Sequence, residues 1–149
     1  MTAQQTPRFN LPLLAVSQAQ KEVTHNEALI RIDALLHAVI ENRLSTPPAL
    51  AAGDSGKCWL VEEGASGSWS GRSGQLAVWT GDDWRYIPAT DGMRLRLQPQ
   101  NSDIVRSGDA WIDTPTIADP MGGVIIDVEA RNAINTLLGY LRAIGHVTP

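Results

Sequence analysis

The chain has one cysteine, Cys58, in 149 residues. A lone thiol excludes an internal disulfide and a cysteine-based zinc site. No apolar run approaches the roughly 18 residues of a membrane span, so no membrane insertion is expected and the chain reads as soluble. Basic residues are scarce, 12 against 16 acidic, for a formal charge of −4. Without a basic excess the phosphate backbone has little to bind, so nucleic acid is not an expected partner. Phenylalanine occurs once and tyrosine twice, whereas tryptophan occurs five times, always between positions 59 and 111. The apolar share of 43% is enough for a packed core.

The tryptophan-free ends and the tryptophan-rich middle divide the chain into zones. Residues 1–16 contain Pro7 and Pro12 and show no helical or alternating period, which predicts an extended arm. Its apolar residues Phe9, Leu11, Leu13, Leu14 and Val16 need a surface to lie on. That surface is either the chain's own domain or another protein, and Phe9, Leu11, Leu13 and Leu14 are the candidate docking residues. Residues 17–46 read as a helical segment, with Ser17/Gln20 and Thr24/Glu27 as two capping boxes. Leu29, Ile32, Leu36 and Val39 step by three and four, the spacing of a helix-to-helix seam. Pro47 and Pro48 end it.

Residues 47–126 read as a β domain. Cys58–Val61, Gln75–Trp79 and Trp84–Ile87 are short apolar runs, and Gly81-Asp82-Asp83 marks a hairpin turn between the last two. Met93–Leu97 alternates apolar and basic residues, and Ser107-Gly108-Asp109 marks a second turn. Val78 to Trp84 resembles Val105 to Trp111, each a strand, a Gly-Asp turn and a tryptophan-bearing return strand. Residues 127–149 read as a second helix, with Asp127 as N-cap. Ala130, Ile134, Leu137, Leu141 and Ile144 form its seam, and Gly145 follows its end. The expected fold class is α+β: an arm and helix, a small antiparallel domain of hairpins, and a C-terminal helix. The two seams predict a homo-oligomer, with three copies as the first expectation, joined through Leu29, Ile32, Leu36, Val39, Ile134, Leu137, Leu141 and Ile144.

Catalytic patterns are weak. Gly53-Asp54-Ser55-Gly56 looks like the nucleophile motif of trypsin-like proteases, but Lys57 follows where those enzymes carry glycine. A small serine hydrolase using Ser55 is therefore the least favoured reading. The Gly/Ser stretch from Gly64 to Gly74 lacks the lysine of a phosphate-binding loop. His25, His37 and His146 have no ligand spacing, and no metal or cofactor is expected. Exposed tryptophan can stack on sugar rings, and Trp69, placed in the Gly/Ser loop, is the candidate glycan contact.

Gln18-Ala19-Gln20-Lys21-Glu22-Val23-Thr24-His25-Asn26-Glu27-Ala28-Leu29 resembles the N-terminal signature of a family of unknown function found in bacteriophages, prophages and gene transfer agents. A looser second pattern runs through Gly64, Gly67, Trp69, Gly71, Gly74, Ala77, Trp79, Trp84, Pro88 and Gly92. The resemblance spans about residues 8–112. Members occur in tail-fibre, spike and related virion proteins. The resemblance implies a non-enzymatic structural protein of a phage-type particle, localised to the virion and contacting other virion proteins. It fits a fibre, spike-base or adaptor subunit for assembly or attachment. The alternative is a glycan-binding module that recognises cell-surface polysaccharide through exposed tryptophan.

Overall fold

A computed structural model describes residues 4–15, 21–123 and 125–148. Among the described residues there are two α-helices and eight β-strands in two sheets, an α+β fold. The chain divides into two compact units, Met1–Thr90 and Asp91–Pro149.

The first unit holds α1 (Lys21–Leu35), the two-residue strands β1 (Val39–Ile40) and β2 (Arg43–Leu44), then β3 (Cys58–Val61), β4 (Leu76–Trp79) and β5 (Trp84–Ile87). β2 runs parallel to β3, and β3, β4 and β5 form an antiparallel meander. All four residues of β3 are buried, so both sheet faces are covered. Trp59, Val61 and Ala77 face one cluster with Trp69. Leu60, Leu76 and Val78 alternate onto the other face. The expected β4–β5 turn is present: the Thr80 N–H donates to the Asp83 carbonyl and the Thr80 hydroxyl to Asp82.

α1 is shorter than the helical segment read over residues 17–46. It ends at Leu35, and His37 turns into the left-handed region with φ 48°. Two causes meet there. Val39 and Ile40 are β-branched and favour strand. The Arg8 guanidinium also donates to the carbonyls of Asp33, Ala34, Leu36 and His37 at 2.8–3.3 Å, taking up acceptors left unpaired where the helix stops. Val39 therefore leaves the helical seam altogether. Thr24 lies inside the helix, so the Thr24/Glu27 capping box does not form. Ser17 and Gln20 fall outside the described residues, as does Val16 of the arm.

The arm does not run straight. Residues 4–13 fold back on themselves through Thr6 N–H to Leu11 O and Leu13 N–H to Gln4 O. The folded arm is held on α1 by Asp33, only 2% exposed. Its carboxylate accepts from the Thr6 hydroxyl at 2.6 Å, the Arg8 N–H at 3.0 Å and the Phe9 N–H at 2.8 Å. Asn26 holds the next stretch, accepting from the Leu14 N–H and donating to the Leu14 carbonyl. Pro7 rests on Gly56, where a Cβ would approach it to 2.7 Å, and φ there is +85°. Only glycine suits both conditions. For residues 4–15, the surface that receives the arm is the chain's own first unit.

The second unit holds the meander β6 (Arg94–Leu97), β7 (Ser102–Ser107) and β8 (Ala110–Asp113), followed by α2 (Val128–Ala143). The alternation read over 93–97 holds, with Leu95 and Leu97 buried and Arg94 exposed. The repeat is realised with different loops. Trp84 pairs with Trp79 across four intervening residues, whereas Ala110 pairs with Ser107 across two. Asp127 caps α2 by accepting from the Ala130 N–H at 2.9 Å. The other end is fastened to the meander: Arg96 donates to the Ile144 carbonyl, and the Asp103 N–H to that of Gly145. A Cβ at Gly145 would overlap the Arg96 guanidinium, which explains the glycine.

Asp33→Ala would leave two backbone N–H groups and a hydroxyl without their buried acceptor, at about 1–3 kcal/mol for each such group. The expected outcome is a loss of about 3 kcal/mol or more in chemical denaturation, with early proteolytic cleavage within residues 4–15.

Candidate functional site

The aromatic cluster of the first unit follows from strand alternation. Trp59, Ala77, Trp79, Trp84 and Tyr86 fall on one face, because the register opposes Trp59 to Ala77, Ala77 to Tyr86 and Trp79 to Trp84. Trp84 is the hub. Its ring lies 5.5 Å from Trp59 and 5.1 Å from both Trp69 and Trp79, edge-on to the first two, the geometry that aromatic quadrupoles favour. Arg72 lies over Tyr86 at 4.6 Å, and the Tyr86 hydroxyl donates to the Ser68 carbonyl.

Trp69, the candidate glycan contact, is 0% exposed. The short 3-10 turn Gly67–Trp69 carries its ring back into the core. Glycines at positive φ let the surrounding loop fold over it. No sugar reaches that ring in this conformation. The rings of the cluster that are only half-buried are Trp79, Trp84 and Tyr86. Loop position suggested exposure for Trp69; only the strand register reveals which rings reach the surface.

A cleft of about 140 Å³ lies where the arm and α1 meet β4, lined by Thr6, Leu13, Ile30, Asp33, Ser55 and Trp79 among others. Thr6, Asp33 and Ser55 are engaged in holding the fold. Thr6 and Asp33 bond each other, and the Ser55 hydroxyl donates to the Thr80 carbonyl at 2.9 Å. Asp54, next to Ser55, pairs with Lys57 at 2.7 Å. The Cys58 thiol is buried and inert, its pKa pushed up to about 12 because burial penalises the thiolate. Among the described residues no group of three or more His, Cys, Asp or Glu side chains is placed to hold a metal.

The seam residues separate into two classes. On α1, Leu29 is half-buried and Ile32 is 47% exposed, and Leu36, just past the end of the helix, is 42% exposed. Phe9 and Leu14 on the arm are 42% and 39% exposed, and Leu11 and Leu13 are half-buried. Phe9 lies 6.3 Å from His37, and Arg8 beside it bonds the Leu36 carbonyl. The arm and the end of α1 therefore form one small apolar surface. On α2, Ile134 and Leu137 are 46% and 57% exposed, Leu141 and Ile144 are half-buried, and Leu138, outside the seam, is the buried one.

Glu27 was read as a capping residue, and the structure gives it a different task. It accepts from Arg31 on its own helix and from Arg85 on β5, both at 2.9 Å. With Asn26 and Asp33, it makes α1 the element that joins arm to sheet. Periodicity does not reveal such contacts, because their partners are 12, 25 and 58 positions away.

Residues 25–112 match the family described as Protein of unknown function (DUF2793). The chain belongs to this family. The matched stretch includes Asn26, Glu27 and Asp33 of α1 and the whole aromatic cluster, and it runs on through β6 and β7 into β8 of the second unit. No curated protein matches the sequence.

Burial raises the Glu27 pKa, but hydrogen bonds from Arg31 and Arg85 outweigh it, and the group sits below its ordinary 4.5. A depressed carboxyl contributes stability above its unfolded pKa and loses it as pH falls through the folded value. Acid unfolding should therefore steepen below about pH 4.5. Glu27→Gln should lower stability at neutral pH and flatten that part of the profile, as read by urea midpoints across the acid range.

Proposed function

We propose that this chain is a non-enzymatic structural subunit of a phage-type or gene-transfer-agent particle. In this reading it serves as a fibre, spike-base or adaptor component in assembly or attachment. The resemblance of its signature to that of virion proteins supports the reading. The observation that carries it is the use of polar groups. Asp33, Arg8, Asn26, Glu27, Ser55 and Asp54 are all engaged in scaffold contacts. What the first unit presents outward is an apolar surface, Phe9, Ile32, Leu35 and Leu36, at 38–47% exposure. Such a patch at a rigid junction suits contact with another protein. The neighbouring virion protein would cover Phe9 and Leu36, with Leu11, Leu13 and Leu14 shaping the arm beneath.

The test is incorporation of a tagged copy into particles made by the bacterial strain that encodes it. Phe9→Ser with Leu36→Ser removes two apolar anchors worth about 1.5–3 kcal/mol each when buried. The expected outcome is a folded protein whose occupancy on purified particles falls by about tenfold or more. Full occupancy of the double variant, or absence of the unaltered protein from particles, would count against the reading.

A second reading is favoured by the partial exposure of Trp79, Trp84 and Tyr86. Adjacent aromatic rings at a sheet edge are the surface a pyranose face stacks on, so the same subunit would bind cell-surface polysaccharide. Glycan-array binding by the unaltered chain that is lost in Trp79→Ala, with circular dichroism showing the variant still folded, would support it. A blank array would remove it.

A further inference from the structure

α2 has 16 residues, and Leu138 alone among them is buried. A helix of that length is marginal in water and depends on packing of its apolar face. The apolar stripe Ala130, Ile134, Leu137, Leu141 and Ile144 lies mostly off the contact with its own unit. That unit holds the helix at the far end through Arg96 and Asp103. The preceding segment runs beside the helix, because Arg131 donates to the Pro120 and Gly122 carbonyls and Arg142 to Asp119 and the Ile117 carbonyl.

We propose that α2 and the segment leading into it form the surface through which copies of this chain associate with one another. Charge is the first argument. Packing about a symmetry axis sets the residues nearest the axis close to their own counterparts, which disfavours charged residues there. The stripe from Ala130 to Ile144 carries no charge. The two arginines of α2, which would confront their like across an axis, are turned aside into their own chain by the bonds just described. Area is the second argument. Met121 and Ile125 in the leading segment and Ile134, Leu137 and Tyr140 on α2 are 87, 93, 46, 57 and 63% exposed. At ordinary residue areas they sum to on the order of 600 Å², the greater part of the roughly 800 Å² that each partner contributes to a standard interface.

Of the two expected seams, the one on α1 is interrupted, because Val39 is in a strand, whereas the one on α2 is continuous. Self-association rests on α2. This inference deepens the structural-subunit reading by naming one partner, and it is measured without particles, so the two can fail separately.

The test uses the full chain. Light scattering at micromolar concentration should give a multiple of 16.1 kDa, falling to the monomer in Leu137→Glu with far-ultraviolet circular dichroism unchanged. Leu137 is the central residue of the stripe from Ala130 to Ile144, where two copies packed on that stripe come nearest to the axis. Leu137→Cys should therefore form a disulfide-linked dimer under mild oxidation. Asn132→Cys, exposed on the polar side, should not. Cys58 is 1% exposed and does not compete. A monomeric wild-type protein, an oligomer that persists in Leu137→Glu, or equal cross-linking at 132 and 137 would each overturn the proposal. This holds even where a different protein proves to bind the same face.

Discussion

Asp33 and Arg8 each satisfy the backbone of the other's segment. The Asp33 carboxylate accepts from the backbone of Arg8 and Phe9, while the Arg8 guanidinium donates to the carbonyls that follow Asp33. One exchange thus gives the folded arm its acceptors and the end of α1 its donors. A buried carboxylate is costly unless hydrogen-bonded, and here three donors reach it. Arm and helix consequently stand or fall together. The seating of Pro7 on Gly56 and the cleft against β4 depend on the same exchange, because both require the arm in place.

This constraint gives the N-terminal signature a physical content. Asn26 holds Leu14, and Glu27 joins α1 to β5 through Arg85. A segment that looks on paper like a helix start followed by a seam is a bracket between arm and sheet. The apolar residues it leaves outside, Phe9 and Leu36 among them, lie on a rigid base. That rigidity makes them credible as contacts for another protein, since little entropy remains to be lost on binding.

The second unit follows a different logic. Its meander supplies the anchors, and α2 is fastened at one end while most of its apolar stripe faces outward. Burial within the chain is thus concentrated in the strands and the aromatic cluster, whereas α2 contributes an open surface. The same periodicity of three and four has opposite outcomes in the two helices. α1 is held by polar clamps to its own unit, and α2 by the buried Leu138, its C-terminal attachments and the arginine contacts along its flank.

Local rules were sufficient for much of this. Asp127 as a cap, the Gly-Asp turns, the alternation of Arg94 to Leu97 and the glycine after α2 all depend on residues within a few positions of each other. The α+β class follows from the order of these elements. The length of α1, the folding back of the arm and the burial of Trp69 were not legible, because each depends on partners far away in sequence. α1 stops where Arg8 reaches its carbonyls, and nothing between residues 33 and 37 announces that guanidinium. Trp69 sits in a Gly/Ser loop that reads as exposed, yet it fills the space beside Trp84 that three strands create. The sequence by itself determined the elements and their caps, since those interactions are local. Only the tertiary structure decided which apolar residues are covered and which face outward, since covering a side chain requires a surface that distant segments build together.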